Sequence, residues 1–285
     1  MAASRIEWTE VTWNPTTGCD RVSPGCDHCY ALTMARRLKA MGQPKYQRDG
    51  DPRTSGPGFG ITCHPDVLRA PYGWAGSKTV FVNSMSDLFH EGVPEDFIAD
   101  VFAVMCDTPQ HTYQVLTKRS KRLAELATRL EWPENVWMGV TVETDRYAFR
   151  ARHLRAVPAA VRFISAEPLL GALPSLELEG IHWLIAGGES GPHARPMHPA
   201  WVRDLRDRCR AAGTAFFFKQ WGAWRPRRGA GTWVDLDGTV GERAALVDGH
   251  RLAPAHVDRL GKTRAGRRLD GRTWDQLPST LTVGR

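Results

Sequence analysis

Short apolar runs recur along the chain, and each is followed by polar residues and then by a segment with helical periodicity. The runs are continuously hydrophobic and do not alternate with polar positions, which is typical of strands buried on both faces of a parallel sheet. The pattern predicts strands over residues 79–83, 112–117, 136–142, 161–165, 181–186 and 215–219. A shorter run over residues 10–14 predicts one further strand near the start of the chain.

Amphipathic segments follow the strands and predict helices over residues 31–41, 94–107, 121–130, 145–154 and 199–212. Asp145 is a candidate N-cap, and Gly213 is placed to end the last helix. Repeated strand–helix units with right-handed crossovers favour a partial or full parallel (β/α) barrel of about six to seven strands, an α/β fold. A doubly wound sheet is the second alternative.

Two regions lack this pattern. Residues 42–78 are rich in glycine and proline, which predicts a long excursion from the barrel. From residue 222 onward the strand and helix patterns fade into turns. We therefore expect a barrel domain over residues 1–221, including the excursion, and an irregular basic C-terminal extension over residues 222–285 that packs on the barrel.

Composition narrows the class of protein. No apolar run approaches the roughly 20 residues that a membrane span needs, and the first residues lack the apolar core of a secretory signal. The six cysteines are too few to form a disulfide scaffold in a chain of 285 residues. We therefore expect a cytoplasmic protein without a membrane partner.

Positive charge is concentrated at the C-terminal end. The net charge is +7, and residues 222–285 contain twelve Lys and Arg against seven Asp and Glu, a net of +5. A basic region suits a polyanionic partner such as nucleic acid. A solvated arginine-rich surface explains the same composition, so both interpretations stay open.

Three of the cysteines form a local motif. Cys19, Cys26 and Cys29 have the spacing C-x6-C-x2-C, and glycines and a proline between them allow tight turns. Short runs of cysteine thiolates hold iron–sulfur clusters. A helix that begins directly after Cys29 would place its N-terminal dipole at an anionic site.

Other roles for the cysteines remain possible from the residues alone. A zinc ion could take the same three thiolates with His28, Cys63 or His64 as fourth ligand, and free thiols are a third alternative. The helical patterns place Cys106 and Cys209 on apolar faces, as core residues. The role of Cys63 stays open.

Polar residues follow six of the predicted strands directly. In parallel barrels the C-terminal strand ends carry the active site, so we expect these residues to line a common site. Two consecutive glycines after the fifth strand would let the backbone approach a ligand closely. The strand-end residues are Asn83, Ser84, Ser86, Asp87, Thr117, Lys118, Arg119, Thr141, Glu143, Ser165, Glu167, Gly187, Gly188, Glu189, Ser190, Lys219 and Gln220.

As a set, these motifs resemble the radical S-adenosylmethionine (SAM) superfamily. They are more closely similar to a phage-associated family of radical-SAM-like proteins with a three-cysteine motif. The segments that carry the resemblance are 13–19, 24–30, 83–89, 116–118, 139–143, 165–168, 187–191, 218–222 and 261–275. The first cysteine gap is six residues here, whereas three is common in the superfamily.

The resemblance implies a [4Fe–4S] cluster on Cys19, Cys26 and Cys29 and an enzyme that reductively cleaves SAM to start radical chemistry. It also implies the contacts to SAM. Ser84 and Asp87 match the place of the amino group, Glu143 with Ser165 or Glu167 that of the ribose or carboxylate, and Gly187 with Gly188 that of the adenine. Thr141 and Glu189 are further cofactor candidates, and Lys118 and Lys219 are candidate catalytic residues.

An enzyme of this kind needs a reductant such as a flavodoxin or ferredoxin. Its substrate is unknown, with a nucleic acid or nucleotide as one hypothesis because of the basic C-terminal region. The alternatives are a non-catalytic, zinc-stapled nucleic-acid-binding protein and a small-molecule lyase or isomerase on the same scaffold. The oligomeric state and the role of residues 42–78 stay open.

Overall fold

The computed structural model describes residues 2–3, 6–227, 232–241 and 254–279. Contacts between residues divide the chain into two units. The first comprises Met1–Val140 and Arg152–Phe163, and the second comprises Thr141–Ala151 and Ile164–Arg285. The predicted division between residues 221 and 222 stays a prediction.

Fourteen strands and seven α-helices lie in the described residues. The strands are β1 (Ala2–Ala3), β2 (Val11–Trp13), β3 (Thr16–Thr17), β4 (Thr62–Cys63), β5 (Thr79–Val82), β6 (Thr112–Thr117), β7 (Val136–Thr141), β8 (Val161–Ala166), β9 (Trp183–Gly187), β10 (Ala215–Gln220), β11 (Trp224–Pro226), β12 (Trp233–Val234), β13 (Val240–Gly241) and β14 (Ala255–Arg259). The helices are α1 (Tyr30–Ala40), α2 (Pro65–Leu68), α3 (Glu95–Asp107), α4 (Ser120–Leu126), α5 (Phe149–Arg155), α6 (Pro199–Ala212) and α7 (Lys262–Ala265). None of these helices is long and apolar enough to cross a membrane.

The main sheet has the strand order β1-β2-β5-β6-β7-β8-β9-β10. β1 runs antiparallel to β2, and the other seven strands form a parallel sheet in chain order. The predicted parallel α/β fold is confirmed, with the strand order of a half-barrel. A doubly wound sheet would reverse its strand order at a switch point. In the described part of the chain, the edge strands β1 and β10 do not pair with each other, so the sheet is open.

Continuous burial explains why the strands were readable in the sequence. All six residues of β7 are buried, as are the last three of β5. Gly139 in β7 lies against the ring of Phe163 in β8, and a Cβ at this glycine would come within 2.4 Å of that ring. A larger residue at position 139 would therefore clash with the ring of Phe163 and disturb the packing of β7 and β8.

The helix predictions hold apart from one cap. α6 spans the predicted residues and ends at Gly213, whose φ of 70° is the left-handed conformation that glycine accepts most readily. Asp145 does not cap a helix, so this prediction was wrong. It lies within a 3-10 turn before α5, and its carboxylate accepts hydrogen bonds from the backbone N–H and the hydroxyl of Ser175.

The excursion over residues 42–78 contains short regular elements. β4 pairs antiparallel with β3, so that Thr17 lies opposite Thr62. The indole of Trp13 donates to the carbonyl of Val67 in α2, at 3.0 Å. The excursion therefore holds the chain in place directly before Cys19.

The C-terminal region is more regular than the sequence predicted. Its described part contains a four-stranded antiparallel sheet with the order β11-β14-β12-β13, followed by α7. The prediction of an irregular extension was wrong for these residues. The rest of the predicted extension, residues 228–231, 242–253 and 280–285, lies outside the described residues.

Candidate functional site

The three clustered cysteines lie on residues 18–29, which we call the thiol loop. Its first residue, Gly18, has a φ of 89°, and a Cβ there would come within 2.3 Å of the carbonyl oxygen of Gly60. The N–H of Gly18 donates to the carbonyl of Met85 (3.1 Å), and its own carbonyl accepts from the hydroxyl of Ser86 (2.7 Å). The start of the thiol loop is thereby fixed against the segment that follows β5.

The second half of the thiol loop leads directly into α1. Cys26 ends a 3-10 turn, and its carbonyl accepts from the N–H of Cys29 at 3.2 Å. Cys29 is the N-cap residue of α1, and the nearby backbone N–H groups of Ala31 and Leu32 lower the pKa of its thiol, against the larger effect of burial. The N-terminus of an eleven-residue helix therefore favours negative charge at Cys29.

Electrostatic interactions link the three thiols. Negative charge on Cys26 raises the pKa of both Cys19 and Cys29, so Cys26 lies near enough to each of them to act on it. Burial raises the pKa of Cys19 to about 12 and also raises the pKa of Cys29. Desolvation penalises the thiolate, and a positively charged group beside these thiols would offset that penalty.

Two cationic residues at the end of β6 act on these thiols. Arg119 donates from Nη1 to the Sγ of Cys19 (3.4 Å) and to the Oδ2 of Asp87 (3.0 Å). Its side chain is 10% exposed, and the Asp87 side chain is 7% exposed. Lys118 is near enough to Cys29 to lower the pKa of that thiol. Cys19 and Cys29, which are both half-buried, thus each have a nearby cation that favours the thiolate form.

Asp87 was predicted to contact the amino group of SAM, and here its carboxylate accepts four hydrogen bonds from the protein. Oδ1 accepts from the hydroxyl of Thr117 (2.6 Å) and the N–H of Phe89 (3.1 Å). Oδ2 accepts from the N–H of Lys118 and from Arg119, both at 3.0 Å. The visible role of Asp87 is to hold Arg119 against Cys19.

Ser84, the other candidate for the amino group, also has partners within the protein. Its hydroxyl donates to the Oδ1 of Asn14 at 3.1 Å. Its carbonyl accepts from the hydroxyl of Tyr30, the first residue of α1. These bonds tie the segment after β5 to α1, next to the thiol loop.

The donor set was compared with the two kinds of metal site predicted. Among the described residues, no three Cys, His, Asp or Glu side chains are close enough together to bind one metal ion. Tetrahedral zinc with Zn–S bonds of about 2.3 Å needs sulfurs about 3.8 Å apart. In a four-iron cluster each thiolate binds a different iron, which permits a wider spacing. The described residues therefore lack the spacing of a single zinc site, whereas three thiolates are the donor set that an iron–sulfur cluster takes.

The predicted fourth zinc ligands have other surroundings. His28 is exposed, and His64 is buried with its Nε2 2.8 Å from the hydroxyl of Thr17. Cys63 lies in β4, opposite Thr16. Of the two cysteines predicted as core residues, Cys209 is buried and Cys106 is half-buried.

The second unit contains Glu143, just after β7. Its Oε2 accepts from Nη1 of Arg150 at 2.9 Å, and the same nitrogen donates to the carbonyl of Thr141. The side chains of Glu143 and Arg150 are 0% and 3% exposed. The other carboxylate oxygen of Glu143 is buried without a hydrogen-bond partner among the described residues. This orphaned acceptor suits a hydroxyl or amino donor of a ligand.

Glu167 and Lys219 form a second pair in this unit. Lys219 Nζ lies 3.0 Å from Glu167 Oε1, and the hydroxyl of Ser165 donates to Glu167 Oε2 at 3.3 Å. Both charged side chains are less than one-fifth exposed. A Cβ on Gly187 would come within 2.8 Å of Glu167 Oε1, so this glycine makes room for the carboxylate.

Gly188 and Glu189 are also occupied by the protein itself. A Cβ on Gly188 would come within 2.0 Å of the carbonyl oxygen of Trp221. Both oxygens of Glu189 accept from Arg195, with contacts of 2.6 and 2.9 Å to the guanidinium. The close backbone approach predicted for a ligand at these glycines is made here by neighbouring protein atoms.

Sequence reasoning missed Arg150 and Arg195, the partners of two predicted site residues. Arg150 had a readable signal, because it stands between Ala148 and Ala151, which are both buried. Arg195 follows a glycine- and proline-containing turn and had no such signal. The predicted strand-end residues are divided between the two units. The prediction that all strand ends line one common site stays a prediction.

Comparison with known proteins gives one match. A family model described as a protein of unknown function, DUF5131, matches residues 3–278. No curated protein and no solved structure matches the chain.

Proposed function

We propose that this chain, which belongs to the DUF5131 family, is an iron–sulfur enzyme of the radical SAM type. The observation that carries the proposal is the thiol loop, where three interacting thiols lie beside two cationic residues and a helix N-terminus. Half-barrel strand order and the resemblance of the motifs support the same function. The resemblance alone supplies the identity of SAM.

A [4Fe–4S] cluster bound by Cys19, Cys26 and Cys29 would supply the electron for reductive cleavage of SAM, which starts radical chemistry on the substrate. The chain's own residues would stabilise the thiolate forms of Cys19 and Cys29 in the bound state. Arg119 donates to the Sγ of Cys19, and the helix N-terminus and Lys118 act on Cys29. These groups offset the cost of burying negative charge.

Apolar packing limits the access of water to the thiols. Cys19 and Cys29 pack against a buried cluster of Ala31, Ala35, Phe59 and Met85. In such surroundings hydrogen bonds to sulfur are stronger than in water. Asp87 contributes indirectly, because its carboxylate fixes the guanidinium of Arg119 on the Cys19 side.

The second unit contributes two candidate groups. The orphaned Oε1 of Glu143 would accept a hydrogen bond from a hydroxyl or amino group of the ligand. Lys219 would hold or deliver a proton. Its ammonium group is held by Glu167, and the carboxylate of Glu167 is held in turn by the hydroxyl of Ser165. The other predicted cofactor contacts of this unit, Thr141, Gly187, Gly188 and Glu189, stay predictions.

The substrate class is part of the proposal and rests on charge alone. The described C-terminal region exposes arginines on β11, β14 and α7, which suits a nucleic acid or nucleotide. Thiols must stay reduced to bind iron, which supports the cytoplasm as the proposed location. The zinc-stapled alternative is disfavoured by the spacing of the potential ligands.

The test is the metal content of protein purified without oxygen. We expect about four irons and four sulfides per chain, with a brown colour that dithionite bleaches. Cys26→Ala should lose the iron and colour, whereas Cys106→Ala, a control on α3, should keep both. With SAM and dithionite, the wild-type protein should release 5′-deoxyadenosine. A colourless protein with one zinc per chain would exclude the proposed enzyme and leave the binding protein.

A further inference from the structure

Exposed apolar side chains concentrate next to the thiol loop. Eight large apolar residues of the described chain are exposed, and four of them fall within residues 22–41. They are Val22 at 42%, Tyr30 at 57%, Met34 at 41% and Met41 at 60% exposed. Single exposed apolar residues are ordinary, but such a concentration indicates an interaction surface.

Helical spacing places most of this group on one side of α1. Positions 30, 34, 37 and 41 follow one another at intervals of four, three and four residues, which aligns them along a helix. A different side of the helix holds the buried Ala31 and Ala35. We call the exposed stripe the α1 face; it comprises Tyr30, Met34, Arg37 and Met41.

The margin of the α1 face is positively charged. Arg21, Arg36 and Arg37 are exposed, against Asp27 as the exposed acid of the same segment, a net of +2. Lys39 is excluded from this sum because it is paired with Asp49 at 2.5 Å. A second copy of this chain would meet the same arginines across a symmetric interface and be repelled. An acidic partner is complementary.

The α1 face is also next to the proposed cofactor. Tyr30 directly follows Cys29, and Cys29 is the N-cap residue of α1. A partner that covers the N-terminal half of this helix therefore comes close to the thiols. A cluster at this place needs an electron from outside the chain.

We propose that the α1 face is the docking surface for an acidic one-electron carrier protein of the flavodoxin or ferredoxin class. The inference rests on the proposed function. In the transfer, the reduced carrier loses one electron and the cluster gains it. Small contacts of this type are usual for redox encounters. Methionine, aromatic residues and arginine are enriched at such surfaces.

The test compares two charge-matched double variants. Met34→Glu with Arg37→Glu alters the α1 face, and Val240→Glu with Arg152→Glu makes the same changes at exposed positions outside α1. Association of a recombinant acidic flavodoxin, in its oxidised form, is measured by biolayer interferometry at low and high salt. We expect the α1-face variant to bind about tenfold or more weakly at low salt, and the control to bind within about twofold of wild type.

Reduction kinetics provide the second readout. The α1-face variant should be reduced more slowly by reduced flavodoxin but at the wild-type rate by dithionite, with unchanged iron content. Equal association of both variants would overturn the docking surface even if iron is present. Absence of iron in the wild type would instead overturn the proposed function, and association with flavodoxin would still decide the docking surface because it needs no cluster.

Discussion

The thiol loop of the first unit and the charged pairs of the second unit balance their charges differently. In the second unit each candidate carboxylate has a cation, in Glu143–Arg150, Glu167–Lys219 and Glu189–Arg195, with contacts of 2.9, 3.0 and 2.6 Å. In the first unit Arg119 divides its donors between Asp87 and the thiol of Cys19. In the second unit each of these carboxylates is neutralised by a cation of the protein. In the first unit Arg119 also directs positive charge at the thiol of Cys19, which is neutral until it binds a cofactor.

Buried charges therefore have two different roles in the two units. In a closed pair such as Glu189–Arg195, both carboxylate oxygens accept hydrogen bonds from the guanidinium. Such a pair has a structural role that needs no ligand. Arg119 pairs with Asp87 and also donates to the thiol of Cys19, whose pKa is raised to about 12, so Arg119 would in addition stabilise that thiol once it loses its proton. Glu143 and Arg150 also form a closed ion pair, although the second oxygen of Glu143 has no hydrogen-bond partner among the described residues.

The largest expected effect comes from opening a closed pair. Arg150→Met should lower the free energy of unfolding by about 3–5 kcal/mol, because it leaves Glu143 charged and buried without its partner. Urea unfolding followed by circular dichroism measures the loss. The double variant Arg150→Met with Glu143→Leu should recover most of it, because no buried charge remains. A loss below about 1 kcal/mol would mean that the pair is not closed as described.

A smaller effect is expected at Asp87, whose carboxylate pairs with Arg119 in the first unit. Asp87→Asn replaces one carboxylate oxygen by an NH₂ group, which is a donor. This group must face either the donors of Thr117 and Phe89 or those of Lys118 and Arg119, so that two hydrogen bonds are lost. Loss of hydrogen bonds to a charged acceptor should cost about 2–3 kcal/mol. The variant should also hold less iron per folded chain, because Arg119 is no longer positioned against Cys19.

Asp100→Asn on the exposed side of α3 is the matched control and should change neither quantity. If Asp87→Asn loses stability but keeps all of its iron, then Asp87 supports only the fold. The difference between the thiol loop and the charged pairs of the second unit would then depend on Cys19, Cys29 and the helix N-terminus alone.

Local patterns explain what the sequence could predict. The parallel strands were readable because both faces are buried, as in β7, and α6 because its ends carry Pro199 and Gly213. The C-terminal sheet was missed because β12 and β13 have two residues each, which is too short for a pattern. The partners of Glu189 and Gly188 were unreadable, since Arg195 and Trp221 meet them only in the folded chain.

The smallest effect is a dependence of stability on pH, which arises from the first unit. Burial lowers the pKa of His64, His90 and His153. Below pH about 6.5, these side chains take up protons in the unfolded chain but not yet in the folded one. The free energy of unfolding should therefore fall as the pH drops from 7.5 to 5.5, by at most about 1.4 kcal/mol per pH unit for each histidine.

His90 offers the sharpest check of this pH dependence. Besides burial, Arg119 lowers its pKa, while Asp20 at 2.9 Å and Asp87 act in the opposite direction. His90→Gln removes the titrating group, so urea unfolding at pH 7.5, 6.5 and 5.5 should show a flatter dependence than in the wild type. An unchanged slope would assign the effect to the other two histidines. A slope of opposite sign in the wild type would mean that Asp20 outweighs burial and that His90 is charged in the folded chain.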